Sequence, residues 1–497
     1  MRRFSLALTI LFAGSLVSSA GPLAEAAKSG DLALVQKLLH QHSDPNEAEA
    51  DGTTPLHWAV QKDRADIVDA LLSAGAKANV KNRYGMIPLG LAVVNGNAAI
   101  TQRLLKSGAD PLAKVPELGA PLMAAARTGN PDVLKALLAA GANANDSEPA
   151  TGQTALMWAA SEGHGAAIKV LVAAGANVSA KTKTGETPIF FAVRGGGREA
   201  VEALLAGGAD VNQRTPGEVK VKCNTCDPDG TPPTPGDNML VVAIVNGHFG
   251  LADYLLKKGA DPNMAGTRWS ALHALARVRN YEETQYPPPK IEPGDMDSLE
   301  LARRLLAHGA DPSARAITPT ARRNQGDQNY FELKGATPFF LASKGGDIAY
   351  MRLLLEAKAD YTTPIDDKTT PLMVASGIGC VPGQWVEPER DILAAVKLLV
   401  EELHADINAA NERHETALHG AVCRSADSVI QYLVDKGARM DVKDAEGKTP
   451  LDDAVTGIFR PTSIGGQPII IFRFPEHTIA LMKKLSEGAS ARQAALR

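Results

Sequence analysis

Aromatic residues are scarce in this 497-residue chain, at 5%, and cysteine occurs four times, as Cys223, Cys226, Cys380 and Cys423. Few aromatics beside abundant Ala, Leu and Gly argue against a sheet sandwich and for short, closely packed helices. Basic residues are not in excess, since the formal net charge is −4. A mildly acidic chain of mixed charges argues against nucleic acid as a partner. The triplet Gly195-Gly196-Gly197 lacks a following Lys-Ser/Thr and is no G-x-G-x-x-G, which argues against a phosphate-cradling loop. Beyond the N-terminus no long apolar run occurs, so no membrane span is expected in the mature chain.

The N-terminus is set apart. Arg2 and Arg3 precede an apolar run, Phe4 to Val17, which ends in Ser18-Ser19-Ala20. A basic start, a short apolar stretch and small residues at the end form the pattern of a secretory signal. The run falls short of the about 20 residues of a comfortable span. Residues 1–20 are read as a signal peptide cut after Ala20, with an uncleaved anchor as the alternative. No cysteine follows the run, which argues against lipid attachment there. The expected location is periplasmic or secreted, and losing Arg2 and Arg3 would take the formal charge from −4 to −6.

The rest repeats itself. Pro22-Leu23, Pro55-Leu56, Pro88-Leu89 and Pro121-Leu122 recur every 33 residues, followed by Ala155-Leu156 and Pro188-Ile189. Later anchors are Leu240, Leu272, Pro338-Phe339, Pro371-Leu372, Ala417-Leu418 and Pro450-Leu451. Between them returns a second phrase, as in "LLSAGAKAN" (71–79), "LLAGGADVN" (204–212) and "LLKKGADPN" (255–263). About twelve repeats run from roughly 22 to 490. In one repeat, Thr54 is placed to cap a helix and Pro55 suits its first turn. Leu56, Ala59 and Val60 form its apolar face. Ile67, Val68, Leu71 and Leu72 form the stripe of a second helix, which Gly75 ends in a left-handed conformation. A lone pair cannot bury its own stripes, whereas stacked pairs can.

The segments "G-x-T-P-L-H-x-A" (52–59), "S-A-L-H" (270–273) and "T-A-L-H" (416–419), with the recurring "G-A-D-x-N" ends, closely resemble the ankyrin repeat. The resemblance implies an all-α repeat solenoid of about twelve stacked helix-turn-helix units with β-hairpin connections, and a concave binding groove. His57, His273 and His419 keep the family histidine. Gly90, Met123, Met157, Phe190, Val241, Phe340, Met373 and Asp452 replace it, which would weaken its hydrogen-bond network there.

Residues 21–212 read as a regular array. Residues 213–497 read as an array broken by Pro- and Gly-rich inserts at about 213–237, 278–297, 314–334, 378–390 and 456–476, each expected to be a loop. Such inserts map to loops, often on the binding face, but loop closure costs grow slowly enough for neutral drift. The first insert holds Cys223-x-x-Cys226, open to three readings: a small disulfide, a redox pair, or half a metal site. No His follows Cys226, and a Pro/Gly-rich loop offers no helix N-terminus to acidify a thiol. Cys380 and Cys423 lie about four repeats away, beyond the reach of one zinc at roughly 8–10 Å per helix layer. A Cys380–Cys423 bridge between neighbouring first helices is geometrically possible, and all four cysteines are disulfide candidates in an exported chain.

No catalytic set emerges. The repeated histidines, and Asp44, Asp110, Asp210, Asp261, Asp311, Asp360 and Asp406, recur with the period and read as structural. His40, His42, His164, His248 and His308 show no ligand spacing. The expectation is a monomeric, non-enzymatic scaffold of the bacterial cell envelope, without cofactor or metal, gripping a partner protein in the concave groove. A thiol redox or metal-linked role of the Cys-x-x-Cys loop is the alternative. The residue after the family histidine is Trp58, Leu91, Ala124, Trp158 and Phe191 in the regular repeats. Either these tryptophans are packing, or Trp58, Lys62, Arg127, Trp158 and Arg194 form an aromatic and basic patch that anchors the partner.

Overall fold

The structure, a computed structural model, describes residues 21–115, 119–216, 236–264, 269–279, 296–317, 333–379, 389–460 and 470–495. Two compact bodies result: Met1–Lys183 with Thr187–Ala209, and Thr184–Glu186 with Asp210–Arg497. The first holds the pairs α1 (Pro22–Ser29) and α2 (Leu32–His40), α3 (Pro55–Gln61) and α4 (Ala65–Ser73), α5 (Pro88–Val94) and α6 (Ala98–Lys106), α7 (Pro121–Thr128) and α8 (Pro131–Ala139), α9 (Ala155–Ser161) and α10 (Gly165–Ala173), and α11 (Pro188–Arg194) and α12 (Arg198–Ala206). The second holds α13 (Met239–Val245) and α14 (Phe249–Lys257), α15 (Ala271–Arg279) and α16 (Ser298–Ala307), α17 (Pro338–Lys344) and α18 (Ile348–Glu356), α19 (Pro371–Ser376) and α20 (Glu389–Lys397), α21 (Ala417–Arg424) and α22 (Asp427–Asp435), and α23 (Pro450–Thr456) and α24 (Glu476–Ala495).

Helices of six to ten residues, as most of these are, do not stand alone in water. Stacking supplies what propensity cannot. Within each body, first helices pack on first helices and second on second, as α3 does on α1 and α5, and α4 on α2 and α6. The face that this closes is the one the pattern marks: Leu56, Ala59, Val60, Ile67, Val68 and Leu71 are buried. The chain is an all-α repeat solenoid.

Polar side chains fasten each repeat to the next. The Asn of the "G-A-x-x-N" phrase bridges to the following glycine: Asn79 Nδ2 donates to Gly108 O at 2.8 Å, and Asp110 N donates to Asn79 Oδ1 at 2.8 Å. Asn46, Asn145, Asn212, Asn263 and Asn408 do the same. Gly75 at φ 90° ends α4 as read from the sequence.

The connections between repeats are hairpins, held by one or two backbone bonds such as Glu49 N to Thr53 O at 2.9 Å and Asn82 N to Met86 O at 3.0 Å, with isolated bridges among the described residues. One expectation changes. The last insert is not all loop: β1 (Ile458–Arg460) and β2 (Ile470–Phe472) pair antiparallel, Phe459 opposite Ile471. Ile-Phe-Arg and Ile-Ile-Phe are strand-forming runs flanking the Pro/Gly stretch, so the composition of the middle misrepresented its ends.

Candidate functional site

The recurrent polar residues are occupied by the fold. At α3 the Thr54 N–H donates to His57 Nδ1 at 3.2 Å, and the Thr54 hydroxyl lies 2.8 Å from the same nitrogen. Nδ1 is therefore an acceptor, and Nε2 carries the proton it gives to Met86 O at 3.1 Å. Burial pushes the His57 pKa down, against the Met86 carbonyl, which suits this neutral tautomer. His273 and His419 repeat the arrangement with Ser270 and Thr416. Where the histidine is missing, the cap shortens: Thr154, Thr337 and Thr370 accept from the backbone N–H of Met157, Phe340 and Met373. At α23, Asp452 takes the histidine's place on Thr449. Gly90, Met123 and Phe190 follow N-caps Ile87, Ala120 and Thr187 that make no side-chain cap bond, so the network is weakened there as expected, whereas the units of Met157, Phe340, Met373 and Asp452 keep a local cap.

The repeated aspartates close local turns. Leu112 N donates to Asp110 Oδ1, Asn212 N to Asp210 Oδ1, and Asn263 N to Asp261 Oδ1, each at 2.8–2.9 Å. His164 Nε2 meets Arg127 O at 3.0 Å, a link between repeats. Among the described residues no group of three His, Cys, Asp or Glu is placed to hold a metal ion. No described helix is long and apolar enough to cross a membrane. Cys423 is in disulfide form; Cys223, Cys226 and Cys380, and with them the Cys-x-x-Cys readings, lie outside the described residues.

What remains is the exposed edge of the first-helix layer in the N-terminal body. The structure splits the five patch candidates. Trp58 and Lys62 belong to α3, between α1 and α5, while Arg127, Trp158 and Arg194 come from the adjacent helices α7, α9 and α11. Helix α5 lies between, bringing Leu91 and Val94. Trp58 is 6% exposed, and its Nε1 donates to Glu49 Oε1 at 2.8 Å. The cation on its ring is Lys28, with Nζ 4.8 Å from the centroid; Lys62 is exposed. Arg127 stacks on Trp158, its Cζ 4.7 Å from the ring centroid. Trp158 and Phe191 are half-buried on neighbouring helices, and Arg194 is exposed.

Both stacks obey one rule: the seventh residue of a first helix covers the aromatic at the fourth position of the next. Lys28 and Arg127 are seventh; Trp58 and Trp158 are fourth. Lys28 went unrecognised in the sequence. The signal was there, in a basic residue 30 positions before Trp58 and 31 before Trp158.

The family profile described as Ankyrin repeats (3 copies) matches residues 23–115, 122–215 and 389–459, over half of the chain. Ankyrin repeat and SOCS box protein 16 of Homo sapiens is 32% identical over 273 residues, which cover 49% of this chain and 52% of that protein. Alpha-latrocrustotoxin-Lt1a of Latrodectus tredecimguttatus is 31% identical over 117 residues, 24% of this chain and 7% of the toxin. The chain thus spans about half or less of these relatives' length. The crystal structure of the human ASB11 ankyrin repeat domain matches at 28% identity and a TM-score of 0.36, over 39% of this chain and 87% of that one.

Proposed function

Because this chain belongs to the ankyrin repeats, whose general role is protein–protein interaction, we propose that it is a non-enzymatic scaffold that grips a partner protein on its first-helix layer. One observation carries the reading: the periodic His, Asp and Asn side chains are spent on caps, turns and links between repeats, whereas the aromatic and basic edge of α7, α9 and α11 is open to solvent. A face of half-buried aromatics rimmed by cations is what a binding anchor needs. A photo-crosslinking residue at Ser161, exposed on that layer, is expected to capture a discrete protein in the native extract. The same residue at Lys169, exposed on the second-helix layer, is expected not to. Equal capture, or none, at both positions would overturn the proposal.

The setting we propose is the bacterial cell envelope, with the chain exported to the periplasm or beyond, as a monomer. Arg2-Arg3, the apolar run and Ser18-Ser19-Ala20 support export, as does the oxidised Cys423. Its partner in this reading is Cys380. N-terminal sequencing of envelope material should begin at Gly21, and an intact Met1 there would refute cleavage. Peptide mapping without reductant should yield Cys380 and Cys423 in one linked fragment; separate fragments would reject that pairing.

A further inference from the structure

We infer that the partner docks through an acidic segment bearing an apolar anchor, and that it sits on the first-helix layer of the N-terminal body, not on that of the C-terminal body. The inference rests on the scaffold reading and deepens it.

The two layers differ at the same positions. In the N-terminal body three of the six fourth residues, Leu91, Trp158 and Phe191, are half-buried and reachable, beside the exposed Glu25 and the buried Trp58 and Ala124. In the C-terminal body the fourth residues Val242, Ala274, Leu341 and Val374 are 0%, 0%, 6% and 1% exposed. An anchor side chain that must lose water against aromatic surface finds such surface only in the first of these rows.

Charge then selects the anchor's company. On the second helices the guanidinium groups have carboxylates: Arg103 with Asp69 at 2.7 Å, Arg198 with Glu202 at 3.0 Å, Arg304 with Glu300 at 2.9 Å, and Arg352 with Glu402 at 2.7 Å. On the first-helix edge, Lys62 and Arg127 have no carboxylate within ion-pair distance among the described residues. Lys28 is held on Trp58 and Arg194 is exposed nearby. Exposed Glu25 and Asp63 stand with Lys28 and Lys62 at the α1–α3 part of the edge, whereas Glu162 is the acid beside Arg127 and Arg194 on α7, α9 and α11, so the excess of positive charge lies on that stretch. Arg127 is also placed, with its Cζ 4.7 Å from the Trp158 ring centroid, and a guanidinium held there keeps N–H donors that can fork onto a carboxylate. A planar cation beside a half-open Trp158–Phe191 surface therefore matches a carboxylate next to a large apolar side chain.

The test uses the full chain and short fluorescein-labelled peptides read by anisotropy. One peptide carries Glu and Asp around a central Phe-Leu. A second has the acids replaced by Gln, a third has Phe-Leu replaced by Ser, and a fourth has Lys in place of the acids. The acidic Phe-Leu peptide should bind about tenfold or more tightly than each of the others, and should weaken as salt rises. Arg127→Glu should lose about tenfold in that affinity, and Arg127→Lys, which keeps charge without the planar stack, should fall between. Circular dichroism melting reports whether Arg127→Glu folds; Arg194→Glu, on an exposed side chain of the same helix as Phe191, gives the same readout if it does not. Equal binding of all four peptides, or unchanged affinity in both reversals, overturns the inference. If Ser161 still captures a partner while the acidic peptide shows no preference, the chemistry assigned here is wrong and the scaffold stands. If capture also fails, the scaffold reading falls with it.

Discussion

Arg279 Nε lies 2.7 Å from Asp347 Oδ2, and Arg279 Nη2 lies 3.0 Å from Asp347 Oδ1, a forked pair with side chains 15% and 9% exposed. The pair joins the end of α15 to the cap of α18. Asp347 also accepts from Tyr350 N at 3.1 Å, while the Arg279 Cζ sits 5.6 Å from the Tyr350 ring centroid. The Tyr350 hydroxyl in turn donates to Leu272 O at 2.9 Å, and its burial raises its pKa far above the ordinary phenol range. Removing one charge of a buried pair strands the other. Asp347→Ala should therefore cost about 3–5 kcal/mol in urea unfolding. Arg279→Met with Asp347→Leu should recover most of that loss; a single-mutant effect below 1 kcal/mol would show that the pair contributes little.

Acid should weaken the fold through its buried histidines. Burial takes His273 from 6.5 to about 4, against its bond to Ala336 O, and lowers His57 and His419 as well. A lowered folded pKa means that the unfolded chain binds the proton first. Stability then falls as pH drops from about 6.5 to about 4, by on the order of 3 kcal/mol for His273. Denaturation midpoints of the wild type and His273→Gln at pH 7 and pH 4.5 would check this. The variant should lose stability at pH 7 but respond less to acid, and parallel slopes would refute the assignment.

Asp453 has the opposite sign. It is buried in α23 near Asp444, Glu446 and Glu415, and Lys448 Nζ stands 3.9 Å away. Burial, then the neighbouring acids, push its pKa up to about 7, and Lys448 does not compensate. A raised carboxylate favours folding while protonated, so its contribution is lost as pH rises from about 4 to about 7. Asp453→Asn should stabilise the last repeats above pH 7 and leave them unchanged below pH 4, as read by amide exchange in α23 and α24. Equal protection in the two proteins at pH 8 would count against it.

The two tryptophans should separate stability from binding. Trp58 is buried, covered by Lys28 and bonded to Glu49, so Trp58→Ala should cost about 3 kcal/mol or more. Trp158 is half-buried, so Trp158→Ala should cost less stability and about 2 kcal/mol in partner affinity. Thermal melts beside binding isotherms decide it. The roles would be reversed if Trp58→Ala melted like wild type and lost the partner.

Gly420 allows α19 and α21 to touch. A Cβ there would stand 2.6 Å from Ile378 N and 3.0 Å from Gly377 C, both backbone atoms. Backbone cannot swing aside as a flexible side chain does. Gly420→Ala should cost about 1–3 kcal/mol by overpacking. Gly488, with nothing within 4 Å, should accept Ala without loss, and similar melting shifts for both would contradict the close approach.

Much of this was written in the local pattern. The 33-residue spacing, the Thr-Pro starts, the left-handed glycines and the paired apolar stripes specify helix pairs that must stack, because each contains its own cap, stop and unburied face. The structural duty of His57 and of Asp110 was legible for the same reason: their partners lie within one repeat or at the start of the next. What surrounds the fourth residue of each first helix was not legible. Trp58 and Trp158 occupy the same register, yet Glu49 and Lys28 close over one while Arg127 leaves the other half open. In the C-terminal row the aliphatic Val242, Ala274, Leu341 and Val374 are buried. Period and propensity act along the chain, whereas exposure and charge pairing depend on which side chains neighbouring repeats bring together, and that is decided only once the helices are stacked.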